Sequence, residues 1–152
     1  MSEPVTVHST FVLERTFTKP PVRVFAALSD AGQKKRWLAE KAEQFDMDFR
    51  VGGAEQMQSR LGDDTPFPGT PLTSIAIYQD IVVGQRVVIA QTMSLGGRHI
   101  SSALVTFELL AEGEGTRLVL THQAAFYEGS DGPERREGGW VVLLGNLARE
   151  LA

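Results

Sequence analysis

The alternation of apolar and polar positions is clearest near the start of the chain. Phe11, Leu13, Arg15 and Phe17 alternate with Val12, Glu14 and Thr16, the two-residue period of a half-buried strand. Lys19-Pro20-Pro21 ends that run, and residues 1–9 before it read as a loose N-terminal extension. Proline cannot donate to a ladder but is tolerated in the first turn of a helix. Val22, Val24, Phe25 and Leu28 follow at helical spacing, Ser29-Asp30 interrupts, and Asp30 with Gln33 forms a capping-box pattern. Pro21 to Leu38 is thus expected to form two short helices in succession.

From Phe45 onward the texture is that of strands. Phe45–Val51 and Ala54–Leu61 flank Gly52-Gly53; Gly62–Gly69 is a loop; Thr70–Val83 and Arg86–Met93 flank Gly84-Gln85. After Gly96-Gly97, Arg98–Leu110 and Thr116–Phe126 form a last hairpin around Glu112–Gly115. A continuous apolar face sets that hairpin's register, since a slip of one residue would turn every side chain over. Leu118 should pair with Leu109, Leu120 with Phe107 and His122 with Val105, which points His122 inward and Arg117 and Thr121 outward.

The C-terminal segment reads as one long helix. Asp131 and Glu134 are spaced to box its start, and Pro133 sits in its first turn. Trp140, Leu143, Leu144, Leu147 and Leu151 form its apolar stripe, which Val141 and Val142 widen. Gly138-Gly139 should cost a helix about 1 kcal/mol each relative to alanine, so close approach to a curved sheet is expected there. The fold class expected is α+β of the helix-grip kind, β-α-α-β(6)-α. A curved antiparallel sheet wraps a long C-terminal helix and leaves a space between them.

Composition narrows the chemistry. The chain has 152 residues, 42% hydrophobic and 22% charged, which suits one globular domain. It has no cysteine, so disulfides, thiolate nucleophiles and cysteine-rich metal sites are excluded. A net charge of −4 without a basic block argues against nucleic acid. No apolar run approaches the length that spans a bilayer. Met1-Ser2-Glu3-Pro4 lacks the pattern of a signal peptide, so a cytoplasmic protein that does not act on membranes is expected. Glycine is in excess at 15 residues. The glycine pairs fit turns and bulges; none opens a helix with the following residues of a phosphate loop.

Several blocks in this order carry a family likeness. Glu14-Arg15-Thr16-Phe17, Pro20-Pro21 and Val24–Asp30 are followed by Arg36-Trp37 and Asp48–Gly53. Tyr78-Gln79-Asp80-Ile81, Gly115–His122, Gly139-Trp140 and Leu143-Leu144-x-x-Leu147 complete the set. Together, from about Thr10 to Leu151, the chain resembles the START-like superfamily known as SRPBCC. Within it the chain is similar to the branch related to the C-terminal domain of the activator of the heat-shock-protein ATPase. The resemblance implies the helix-grip fold. It spans lipid carriers, polyketide cyclases, hormone receptors and co-chaperone domains, so the fold alone names no single role. The chain departs from the pattern at Leu38, where relatives often carry a second aromatic, at Gly84-Gln85, and in the loop Gly62–Gly69. That loop should lie near a cavity mouth.

The candidate chemistry is sparse. His122 is the best candidate for an acid–base role, because it is the one histidine expected on an inward sheet face. His8 falls in the N-terminal extension and His99 beside an exposed turn, so no metal site is expected. Arg15, Arg50, Arg60, Glu43, Asp48, Glu55 and Asp80 lie in strand-rich segments; an Arg–carboxylate pair in the cavity could orient a polar ligand head, but outward surface pairs explain most of them. Trp37, Phe49, Met57, Tyr78, Met93, Phe107, Phe126 and Trp140 are the large groups available to line a pocket, joined by Leu120, His122 and Leu144. Core packing competes for many of these positions. No nucleophile elbow is present.

Three functions are compatible with this reading. The first is binding of a small hydrophobic or aromatic molecule between sheet and helix, without metal or organic cofactor. The second is a cyclase, hydratase or isomerase using the same cavity, which needs polar groups converging on His122. The third is a chaperone-associated interaction module, which needs an exposed apolar patch and a closed core. Monomer and dimer are both open.

Overall fold

The computed structural model describes residues 4–152. Strand β1 (Val7–Phe17) opens the chain. Helices α1 (Pro21–Ser29) and α2 (Ala31–Leu38) follow, then β2 (Gln44–Met47), β3 (Ala54–Arg60) and β4 (Pro71–Val82). The chain continues with β5 (Arg86–Leu95), β6 (Arg98–Glu112), β7 (Gly115–Phe126) and helix α3 (Pro133–Glu150). All seven strands form one antiparallel sheet in the order β1-β7-β6-β5-β4-β3-β2. Only β1 leaves sequential order; it closes against β7 because the helical excursion returns the chain to the opposite edge. This is the expected helix-grip topology.

The expected register of the last hairpin holds, with Leu109, Phe107 and Val105 opposite Leu118, Leu120 and His122. Two strand bounds differ from expectation by more than a residue or two. Val7, His8 and Ser9 pair with Phe126, Ala125 and Ala124, so these residues belong to β1 and not to a loose extension; residues 1–3 lie outside the described part. The pattern had hidden this because β7 supplies the partner, not the polar local sequence. Strand β2 ends at Met47, short of the expected Val51, because Arg50 to Gly53 turn back toward β3.

The junctions show why the chain breaks where it does. Asp30 caps α2 by accepting from the Gln33 N–H at 3.0 Å, but the second half of the expected box is missing. The Gln33 side chain instead accepts from Arg23 at 2.7 Å. Gly115 is required by contact: a Cβ there would stand 2.2 Å from the Phe17 carbonyl oxygen. By contrast, a Cβ at Gly138 or Gly139 would meet nothing within 4 Å. Close approach to the sheet is therefore not the reason for that pair. Val141 and Val142 are also exposed and do not widen the buried stripe of α3.

The core gathers Phe11 and Leu13 from β1, Val24, Phe25 and Leu28 from α1, and Val105, Phe107, Leu118 and Leu120 from the central strands, under Leu144 and Leu147 of α3. Fully burying one such side chain contributes about 1.5–3 kcal/mol. Helix α1 packs on β6 and β7, and α3 packs on β1 and α2. The α2–α3 contact is tied by Arg36, which donates twice to Glu150, at 2.9 and 2.8 Å, and by Asn146, which donates to the Trp37 carbonyl at 3.2 Å. Among the described residues no helix is long and apolar enough to cross a membrane.

Candidate functional site

The helices cover one side of the sheet unevenly. Where α3 leaves β1 behind, it bridges the inner faces of β3, β4 and β5 at a distance, and a cavity of about 430 Å³ remains there. Its size lies within the range typical of small-molecule sites. The walls follow from strand alternation. Inward residues at every second position supply Glu55 and Met57 from β3, and Leu72 and Ser74 from β4. Strand β5 supplies Ile89, Gln91 and Met93, and β6 supplies Phe107. Leu38 of α2 and Gly139, Trp140 and Leu143 of α3 close the apolar roof, with exposed Val142 at the rim. Gly139 leaves its share of this space unfilled, which is the observed consequence of the glycine in mid-helix.

Of the residues expected to line a pocket, Met57, Met93, Phe107 and Trp140 do so. Phe107 and Trp140 meet edge to face with centroids 5.8 Å apart. The others lie off the wall, in the packed interior. Trp37 is buried between the helices and donates its Nε1–H to the Ala27 carbonyl at 2.8 Å. Phe49 packs edge-on against Phe25 and Tyr78. Leu120 and Leu144 are fully enclosed in the core. Phe126 lies under the Arg136 guanidinium at 5.0 Å. Tyr78 sits behind the wall, its hydroxyl donating to Glu55 Oε1 at 2.6 Å.

His122 points inward as the register requires and is fully buried, but it does not line the cavity. Its ring stacks on Phe11 at 4.6 Å and faces Phe126 at 6.3 Å. Neither ring nitrogen has a hydrogen-bond partner among the described residues. Burial, and then the nearby Arg136 cation, push its pKa down to about 4, with Asp131 opposing; the ring is neutral near pH 7.

Two charged clusters stand on the wall, built from residue pairs that were not anticipated. The first joins α2 to β3: Lys34 Nζ donates to Glu55 Oε1 at 2.6 Å, and Glu55 thereby receives both the ammonium and the Tyr78 hydroxyl. Lys34 is 2% exposed and also lies 5.7 and 6.0 Å from the ring centres of Tyr78 and Phe107. Burial and the Glu55 carboxylate push the Tyr78 phenol well above its ordinary pKa, so it remains a donor. Glu55 therefore belongs to the inner face, correcting its placement among outward strand charges. The signal was its parity with Met57; for Lys34 it was the shared helical face with Trp37 and Leu38. Of the other strand charges, Asp48 with Arg50, Glu43 with Arg60 and Asp80 with Arg86 form exposed surface pairs.

The second cluster lies at the start of α3. The expected Asp131–Glu134 box does not form: Gly132 is the N-cap and no side chain caps the helix. Asp131 instead accepts from Arg136 Nε and Nη2, both at 2.8 Å, and Nη2 also donates to Ser101 at 2.9 Å. Burial would raise the Asp131 pKa, but hydrogen bonds and charge from Arg136 hold it below the usual carboxylate range. Arg136 Nη1 is buried without a partner among the described residues. So is Gln91 Oε1, whose amide nitrogen donates to Ser74 at 2.8 Å. Arg136 lies one turn before Trp140 and extends the apolar stripe backward, which was its sequence signal.

The loop between β3 and β4 walls a second cavity of about 380 Å³ through Leu61, Thr65, Pro66 and Phe67. This cavity shares Leu72, Met93, Asp131 and Arg135 with the first, so the two adjoin. Among the described residues no cluster of three or more His, Asp or Glu is arranged to hold a metal.

The model of a family described as Activator of Hsp90 ATPase homolog 1-like protein matches residues 18–152. Among solved structures, the Mll3558 protein of Rhizobium loti is 41% identical with a TM-score of 0.86, over 97% of this chain and 99% of that one. An uncharacterised protein of Rhizobium leguminosarum is 34% identical with a TM-score of 0.91, over 99% of this chain and 98% of that one. Protein CV1439 of Chromobacterium violaceum is 25% identical with a TM-score of 0.74, over 93% of this chain and 96% of that one. No curated protein matches the chain.

Proposed function

The chain belongs to the Activator of Hsp90 ATPase homolog 1-like family, and from that premise we propose that it binds a small, largely apolar molecule in the cavity between α3 and strands β3–β5. The observation that carries this reading is the cavity itself, about 430 Å³ with Met57, Leu72, Met93, Phe107 and Trp140 on its walls. An apolar space of this size left unfilled forfeits packing that a ligand would restore. The polar groups on the wall, two closed ion pairs with Arg135, Ser74 and Gln91, suit orientation of a ligand better than turnover. His122 lies behind the core and touches no bound molecule in this reading.

Titration with a neutral fluorescent apolar probe, N-phenyl-1-naphthylamine, tests the proposal. The protein should bind it, and Gly139→Trp should weaken binding at least about tenfold while the variant stays folded. A Cβ at position 139 meets nothing within 4 Å, so the larger side chain has room to enter the cavity. Failure of the probe to bind, or equal binding by the variant, would overturn the assignment.

A further inference from the structure

We propose that the occupant of this cavity is a monoanionic amphiphile, an apolar body with one carboxylate, whose charge is held at the first turn of α3 by Arg135 with Arg136 as a second donor. The inference rests on the ligand-binding reading and adds the charge and polarity of the ligand.

The argument starts from the charges on the wall. Lys34 and Glu55 form one closed pair, and Arg136 and Asp131 form another. Arg135 is the fifth charged residue of the wall. It is exposed and lines both adjoining cavities. No hydrogen bond or ion pair engages its side chain among the described residues. With the other wall charges closed in pairs, the cavity thus carries one positive charge without a counterion among the described residues, which a ligand of single negative charge complements.

Arg136 supplies the second, independent observation. Its residue is 6% exposed, and the Nε and Nη2 edge is spent on Asp131 and Ser101. Nη1 remains a buried N–H with nothing to accept from it. A buried donor of this kind is costly until an acceptor reaches it, and a guanidinium prefers a carboxylate. Consecutive residues diverge by about 100° around a helix, which places Arg135 at the rim and Arg136 inside. A carboxylate at the cavity mouth meets the exposed Arg135 cation first, and reaches Arg136 Nη1 only when the atoms covering that nitrogen move aside, with Asp131 held by the Nε and Nη2 edge.

Calorimetric titration at low salt with three molecules of equal chain length tests this: decanoate, 1-decanol and decyltrimethylammonium. Decanoate should bind at least about tenfold tighter than the other two, and the preference should shrink as salt is raised. Arg135→Gln should bring decanoate down to the affinity of decanol. Equal binding of decanoate and decanol by the unaltered protein, or an undiminished preference in Arg135→Gln, would overturn the anion assignment and leave the ligand site standing. Failure of all three to bind would overturn the ligand site, and this inference with it.

Discussion

The sheet has two halves built on the same alternation and used in opposite ways. In one half, β1, β7 and β6 lie under α1 and α3, and their inward residues Phe11, Leu13, Leu118, Leu120 and Val105 are all nine-tenths or more buried. In the other half, β3, β4 and β5 send Met57, Leu72, Gln91 and Met93 to the same side, and these remain partly accessible. The polar content follows the same division. The packed half buries His122 between aromatic rings, whereas charged groups hold the two ends of the open half, Lys34–Glu55 and Arg136–Asp131. A period-2 strand states which side faces inward. Whether that side becomes core or cavity wall depends on what arrives to cover it.

The comparison is broken most severely by removing one partner of the open half's buried pair. Glu55→Ala leaves the Lys34 ammonium buried beside the Tyr78 and Phe107 rings without its carboxylate, which should cost about 3–5 kcal/mol in urea denaturation. The double replacement Lys34→Met with Glu55→Leu should recover most of that loss, because no uncompensated charge is left. A double variant as unstable as the single one would mean that the pair itself holds α2 to β3.

Truncation of one apolar residue in each half measures the difference in packing directly. Leu120→Ala, in the closed half, should cost about 2–5 kcal/mol through lost transfer energy and the new void. Met93→Ala, on a wall that already faces open space, should cost less than about 1.5 kcal/mol and should weaken ligand binding instead. Equal losses in the two variants would mean that the cavity closes in solution.

The most selective effect is the pH response of the closed half. The folded pKa of His122 is lowered to about 4 from the ordinary 6.5, so its neutral form is favoured by folding. The associated stability is complete above pH 6.5 and is lost as the pH falls toward 4. The stability difference between the unaltered protein and His122→Phe should change by about 1.4 kcal/mol per pH unit across that window. A flat difference would show that the ring is not desolvated as its stacking between Phe11 and Phe126 implies.

Much of the architecture was legible in the chain. Leu109, Phe107 and Val105 opposite Leu118, Leu120 and His122 followed from parity alone, because only one register keeps an apolar face continuous. The short helices and the closing helix followed from spacing and proline. The site was less legible. Met57 and Trp140 line the wall as expected, yet Trp37 and Leu144 at equally apolar positions sink into the core. Large apolar residues serve core and cavity alike, and spacing does not separate the two. The charged members were misread for a related reason. Glu55 shares the parity of Met57, but a carboxylate faces inward only if a cation meets it, and Lys34 lies 21 residues away.

Local order along the chain is enough to decide strand faces, helix stripes and the turns of the meander, because each depends on neighbours within a few positions. The partners of Glu55 and Arg136, the capping of α3 by Gly132 in place of an Asp131 box, and the entry of residues 7–9 into β1 were decided by segments that meet only in the folded chain. The cavity belongs with them. It is a deficit of volume between α3 and β3–β5, set by how far the helix stands from the sheet and by side chains that do not reach across.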